Sequence, residues 1–352
     1  MLRNRHLVLL FFLVLLFNQS GFAQLGGSHT YMFLNLTNSA RVSAFGGNFV
    51  PIYDDDINLA YSNPSLISDK MHNQFSINYL NYFADVNAGF VSYGRDFEKV
   101  GTFVATLQFM GYGKFTERDN TGREIGTFNA GEYSLNIGWS KKLSEHFQMG
   151  VNLKNIYSQL EKYTSYGLAV DIAASYINTD KDLYSSFIIK NIGRQITTYT
   201  GGDREPIPFE LQWGISKKFE HAPLRLVLLL NDLQKWDLTY SDPNKEPELD
   251  PFTGEEITSS TSWDFGDKLM RHAILGVEFA PGKGNFLVQL SYNYRRRQEL
   301  KLATRTALVG FSFGFGIKIS KFKISYSHAN YHLAGGTNTF TITTNFSDFL
   351  KQ

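Results

Sequence analysis

Between residues 131 and 157 apolar and polar positions alternate with a strict period of two. Tyr133, Leu135, Ile137 and Trp139 fall on one side, and Glu132, Ser134, Asn136, Gly138 and Ser140 on the other. That is the signature of a strand with one apolar and one polar face. A short polar turn, Lys141-Lys142-Leu143-Ser144-Glu145, follows, and the alternation resumes with Phe147, Met149, Val151 and Leu153 against Gln148, Gly150, Asn152 and Lys154. The unit is an antiparallel hairpin, and it recurs to the end of the chain. Two architectures produce this pattern. A soluble sandwich buries the apolar face and wets the polar one. A membrane barrel turns the apolar face to lipid and lines its lumen with the polar one, because only a closed sheet satisfies every backbone group in a bilayer.

Alternation predicts strands over 73–82, 85–95, 101–112, 131–142, 146–157, 164–177, 184–192, 208–218, 223–231, 270–280, 285–296, 306–319, 321–330 and 338–345. Most run for about nine to twelve residues, close to what a tilted membrane strand requires. In the segment 308–319, Val309, Phe311, Phe313, Phe315, Ile317 and Ile319 share one face, and Gly310, Ser312, Gly314 and Gly316 share the other. Glycine and serine are poor solvent-facing sandwich residues but suit a lumen that must admit a plug.

The connections separate the two architectures. Links after even-numbered strands are short: 96–100, 143–145, 178–183, 219–222, 281–284 and Ser320. Links after odd-numbered strands include all the long ones: 113–130, 193–207, 232–269, 297–305 and 331–337. A barrel entered from the periplasm predicts this parity, with short periplasmic turns and long extracellular loops. A sandwich does not. The expected fold is therefore all-β, a transmembrane antiparallel β-barrel of about fourteen strands over 73–352, with an amino-terminal plug or hatch ahead of it.

Residues 1–23 read as an export signal: Arg3 and Arg5 precede the apolar run 7–17, and Gly21 and Ala23 sit where a signal peptidase needs small side chains. From 24 to 72 alternation is weak, and small residues and turn formers dominate, including Asn63-Pro64. This segment is the expected plug. Composition agrees with a barrel: 30 Phe, 19 Tyr and 30 Gly supply interfacial aromatics and small wall residues. A net charge of +1 points to no nucleic-acid partner, and the absence of cysteine excludes a disulfide framework and a lipid-anchored amino terminus.

Catalytic chemistry finds no constellation. Asp54-Asp55-Asp56 lacks the interleaved spacing and glycine of a calcium loop and reads as a polar turn. His328 and His332 are four apart, with no glutamate between them and on a strand end rather than a helix. Glu132, Asp171 and Asp85 lie among strand residues without a pairing visible in sequence. No nucleophile elbow or phosphate loop occurs, so the expectation is a non-enzyme with no cofactor and no metal site. Arg295-Arg296-Arg297 opens an outer loop and would either contact lipopolysaccharide phosphates or mark the membrane boundary. The longest link, 232–269, carries Trp236, Asp250, Phe252 and Trp263 among many acids, and is the expected protein-binding surface.

The amino-terminal runs are more specific than this. Tyr31-Met32-Phe33-Leu34-Asn35-Leu36, Ser39-Ala40-Arg41-Val42-Ser43-Ala44-Phe45-Gly46-Gly47, Asp54-Asp55-Asp56-Ile57-Asn58-Leu59, Asn63-Pro64-Ser65-Leu66 and Asn78-Tyr79-Leu80-Asn81-Tyr82-Phe83-Ala84-Asp85 resemble the PorQ family of the Bacteroidetes type IX secretion system. That family is related to PorV and to the wider FadL-like barrels, in which an Asn-Pro-Ala element is common in the hatch; serine replaces the alanine here at Ser65. The resemblance implies a non-catalytic outer-membrane anchor for a PorZ-like surface protein, in a complex with a PorU-like sortase and a PorV-like shuttle. That complex processes cargo and links it to lipopolysaccharide. The shared architecture equally permits a FadL-like channel for hydrophobic small molecules, and fold analogy does not separate the two.

Overall fold

The computed structural model describes residues 29–47, 49–82, 85–239, 261–282, 284–299, 308–332 and 335–350. The expected signal segment, Asp250 and Phe252 lie outside them, as do the side chains of Trp263 and His332.

The strands are β1 (Gln74–Asn81), β2 (Asn87–Phe97), β3 (Gly101–Arg118), β4 (Glu124–Lys142), β5 (Phe147–Leu160), β6 (Tyr163–Asn178) and β7 (Leu183–Thr197) in the first half. The second half adds β8 (Glu210–Lys218), β9 (Leu224–Leu230), β10 (Ala273–Phe279), β11 (Phe286–Asn293), β12 (Phe311–Ile319), β13 (Phe322–His332) and β14 (Gly335–Asn345). Each pairs antiparallel with its neighbours in sequence, and β1 closes on β14 from Gln74↔Asn345 to Asn81↔Asn338. Closure leaves no edge, the condition for a sheet in hydrocarbon.

The pleat then sorts the side chains. Ile77, Leu107, Leu135, Phe313 and Phe315 are exposed on the outside, whereas Ser76, Thr106, Ser134, Asn136, Ser312 and Thr339 are buried inside. An apolar exterior around a polar interior is the membrane arrangement. Residues 113–130, expected to be a long loop, are mostly strand: β3 and β4 pair on to Arg118↔Glu124. The register shifts between Gly111 and Lys114, where Gly113 takes a φ of 82°, so the alternation changes phase and disguises the continuation. Asp85 also leaves its expected strand, sitting in the β1–β2 turn at a φ of 62°. Arg295 to Arg297 leave β11 for a short helix.

The polar wall encloses residues 29–72. They carry two short helices, α1 (Ala40–Ala44) and α2 (Leu59–Ser62), and single 3-10 turns at Met32–Asn35, Pro64–Leu66 and Asp69–Met71. Ser39 caps α1, accepting from the Val42 N–H, and Asn63 caps the turn that Pro64 begins, accepting from Ser65 N–H. The core lies between this segment and the wall: Val42, Phe45, Phe49, Ile52 and Leu59 pack with Ile188, Val227, Leu229 and Ile274. Each of the fully buried aromatics Phe33, Phe45 and Phe49 contributes on the order of 1.5–3 kcal/mol of apolar burial.

Glycines on the inner wall mark where the segment touches it. A Cβ on Gly150 would land on the Pro64 carbonyl, one on Gly276 would come 2.5 Å from the Phe45 ring, and one on Gly314 2.7 Å from the Ala44 methyl. Gly150→Leu is therefore expected to expel the Pro64 turn, at a cost of about 1–3 kcal/mol or more because the obstacle is backbone. Limited proteolysis should show new cleavage at Lys70 while the barrel keeps its heat-modifiable mobility in gels. Gly111→Ala, with no atom within 4 Å of the added methyl, should behave as wild type in both assays.

Candidate functional site

Two regions carry the chemistry: the charged and polar groups that hold the inner segment to the wall, and the surface at the long-loop end. Arg41 on α1 is the hub of the first. Its Nη1 lies 2.6 Å from Asp54 and 3.3 Å from Asp56, both on the inner segment, while Nε and Nη2 reach the wall carboxylate Glu278 at 3.0 and 3.1 Å. Burial works against the Arg41 charge, but Asp54, Glu278 and Asp56 together hold the guanidinium above its ordinary value. Burial would also raise the Asp54 carboxyl, and the Arg41 and Lys323 cations reverse this and hold it below its ordinary value. The Asp54-Asp55-Asp56 turn is thus the inner half of an ion-pair latch, with only Asp55 exposed.

Deeper in the lumen, Lys154 on β5 and Asp171 on β6 are fully buried and 2.8 Å apart. They are a diagonal pair, since the register places Asn152 opposite Asp171 and Lys154 opposite Ala169. Lys154 Nζ also donates to Asn191 Oδ1 at 2.8 Å, and Asp171 Oδ1 accepts from the Asn191 N–H at 2.8 Å. Asn191 holds a φ of 57° at a register shift between β6 and β7, and this turns its backbone toward the carboxylate. Its side-chain amide donates to Asn35 and to the Pro208 carbonyl, tying the wall to the inner segment.

A third contact centres on Asn58, whose Oδ1 accepts from Ser76 and Asn78 at 2.8 Å each and whose Nδ2 reaches Thr343 at 3.3 Å. It pins the inner segment across the β1–β14 seam. The Asn63-Pro64 element sits on the far side. Asn63 Oδ1 accepts from Ser65 N–H at 3.1 Å and from Ser65 Oγ at 2.6 Å, and Ser65 continues to Ser175 and Ser186 on the wall. The next carbonyl, Ile67, accepts from Ser140 and Gln148 at 2.7 and 2.5 Å. The Pro64 backbone lies directly on Gly150.

The long-loop end is uneven. β3 and β4 are 18 and 19 residues long and β5 to β7 are 14 to 16, whereas β8 to β12 have only 7 to 9. Over the low side lie helices α3 (Thr261–His272) and α4 (Tyr294–Glu299). Tyr294 donates to Asp267 at 2.7 Å, and Arg271 pairs with the same carboxylate at 2.6 Å. Trp236 packs against Phe265 and His272 at centroid distances of 5.4 and 5.7 Å, and remains 50% exposed. Phe265 is 61% exposed, and Leu269 one helical turn on is exposed too. Lys268 bridges Asp264 and Asp237; hydrogen bonds from Thr239, aided by that ammonium, bring the Asp237 carboxyl down to about 2. Trp236 and α3 thus meet at one exposed patch.

The arginine run is engaged locally. Arg295 pairs with Asp232 and Glu299 at 2.7 Å each, and Arg296 and Arg297 have partners of their own. Glu132 accepts from Tyr112 inside the barrel, and His328 lies against Asn338 and the Phe313 ring. Sequence reasoning did not pair Arg41 with Glu278 or Lys154 with Asp171. Part of the signal was present: Lys154, Asp171 and Glu278 fall at inward-facing positions of their strands, where a charge has no solvent and needs a partner.

The buried Lys154–Asp171 pair makes a sharp mutational contrast. Lys154→Met leaves a buried carboxylate unpaired and is expected to cost about 3–5 kcal/mol. Lys154→Met with Asp171→Leu should recover most of that loss. Denaturant unfolding of the detergent-solubilised chain measures both.

No protein-family model matches the chain, and no curated protein does. Solved structures with a similar fold are outer-membrane barrels. The toluene transporter TbuX of Ralstonia pickettii superposes with a TM-score of 0.51 at 9% identity, over 90% of this chain and 100% of that one. The Pseudomonas putida toluene transporter TodX gives 0.49 at 12% identity over 88% and 97%, and a Pseudomonas aeruginosa FadL homologue gives 0.45 at 12% over 88% and 98%. At such identities the likeness is one of fold: the chain is a closed fourteen-strand antiparallel barrel whose structural neighbours are FadL-family outer-membrane β-barrels.

Proposed function

We propose that this chain is a non-catalytic outer-membrane component of the type IX secretion system. In this reading it anchors a PorZ-like surface protein in the attachment complex, beside a PorU-like sortase and a PorV-like shuttle. The long-loop end faces outward, toward lipopolysaccharide, and the short turns face the periplasm. The observation that carries the reading is the packed lumen. Arg41, Asn58 and Ser65 bind the inner segment to strands on opposite sides of the barrel, and Phe45, Phe49, Ile57 and Leu59 have no exposure at all. A rigid platform needs such filling. The likeness of residues 31–85 to PorQ and the exposed Trp236–Phe265 patch support the same role.

The FadL-type fold favours a second reading, a channel for hydrophobic small molecules. A path along the lumen would have to displace the inner segment, including the Pro64 backbone from Gly150.

Affinity capture of the full chain from gently solubilised outer membranes is expected to recover a large surface partner and a sortase-like protein. Trp236→Ala with Phe265→Ala should weaken that recovery by about 30-fold or more, the effect of losing an interfacial aromatic anchor. Capture of the barrel alone, with uptake of toluene into vesicles reconstituted with it, would favour the channel instead.

A further inference from the structure

At the short-turn mouth a cavity of about 210 Å³ opens between the inner segment and the wall. Four strand positions that face inward bring charge to it: Lys218 on β8, Arg225 on β9, Glu278 on β10 and Lys323 on β13. Arg41, Asp54 and Asp55 reach it from the inner segment. The cations outnumber the carboxylates by one (Arg41, Lys218, Arg225 and Lys323 against Asp54, Asp55 and Glu278).

These charges differ in how far they are satisfied. Arg41 and Asp54 are bound to each other, and Glu278 accepts from Arg41 and from Gln289. Arg225 is not so well served. It is 8% exposed and lies over the Tyr184 ring with 5.3 Å to the centroid. Its nearest carboxylates, Asp182 and Glu278, are each 3.7 Å away, ion-pair distance but too long for a hydrogen bond. Its Nε and Nη1 therefore find no hydrogen-bond acceptor in the protein. A buried donor of this kind takes its acceptor from outside the protein, from water or from a ligand. Lys218 and Lys323, half-buried at the same mouth, make no direct ion pair among the described residues, although Lys323 acts on the Asp54 carboxyl from a longer distance.

We propose that this cavity binds a compact oxyanion, a carboxylate or a phosphate, with Arg225 as its buried donor and Lys218 and Lys323 as flanking cations. Charge-assisted hydrogen bonds to a guanidinium and two ammonium groups suit an oxyanion and give an apolar ligand nothing. The volume admits about seven waters' worth of ligand, which limits it to a small ion or the end of a chain. The two sources are a free periplasmic anion and the carboxyl terminus of a polypeptide docking at this mouth. Because Arg41, Asp54 and Asp55 border the same space, an anion held there bridges inner segment and wall.

Calorimetric titration of the full chain in detergent with inorganic phosphate, at constant ionic strength in chloride, is expected to show saturable binding at one site. Lys218→Gln with Lys323→Gln, which changes only mouth lysines, should weaken it roughly tenfold or more. Arg225→Gln should abolish it, and the lysine variant keeps the test valid if that protein fails to fold. A short peptide with a free carboxylate binding more tightly than phosphate, and losing this when amidated, assigns the polypeptide source; the reverse order assigns the free ion. No saturable binding of phosphate or peptide to the wild type, or binding equal in wild type and lysine variant, overturns the proposal.

Discussion

Backbone hydrogen bonding in a medium without water governs this molecule. Every strand must find two neighbours, and the β1–β14 seam is where that requirement is met last. Once the sheet closes with its apolar residues outward, its inner face is a ring of serines, threonines, asparagines and glycines that no longer meets bulk solvent. Those groups need partners as surely as the backbone does. The inner segment supplies them, with helices too short to stand alone and side chains such as Asn58 that satisfy several wall groups at once.

The filling relies on two kinds of fit. Where the inner segment brings bulk, the wall brings glycine, as at Gly276 beneath Phe45. Where it brings charge, the wall brings the opposite charge, as at Glu278 opposite Arg41. Neither works with the segment displaced by one pleat, so register is specified by shape and by charge together. Buried ion pairs add little net stability but make alternatives expensive.

Strand number and strand order were legible in the sequence because period-two alternation survives wherever one face meets lipid and the other does not, whereas two of the five links read as long, 113–130 and 331–337, are mostly strand. The pattern failed where geometry broke its phase: the register shift near Gly113 hid the tall β3–β4 hairpin, and the positive φ at Asp85 moved the start of β2 on to Asn87. Helix α3 was missed because it straddles the end of the segment read as a loop, 232–269, and the first residues of the segment read as a strand, 270–280. Trp236 was singled out from the sequence and its neighbour Phe265 was not, because their meeting depends on the helix. The Asn63-Pro64 turn was visible from residue type; the Gly150 contact that holds it was not, because it joins residues far apart in sequence.

Ala40 N–H donates to Thr341, Arg41 binds Glu278 and Ser291 donates to the Ala44 carbonyl, across separations of 301, 237 and 247 residues. The part of the inner segment that comes early in the chain therefore meets its partners near its end. While the barrel is being built, residues 39–46 have no completed surface to dock on, and they lock only when β10 to β14 are in place. Docking of this segment is in that sense a completion signal: a barrel whose centre is filled is one whose final strand has been paired.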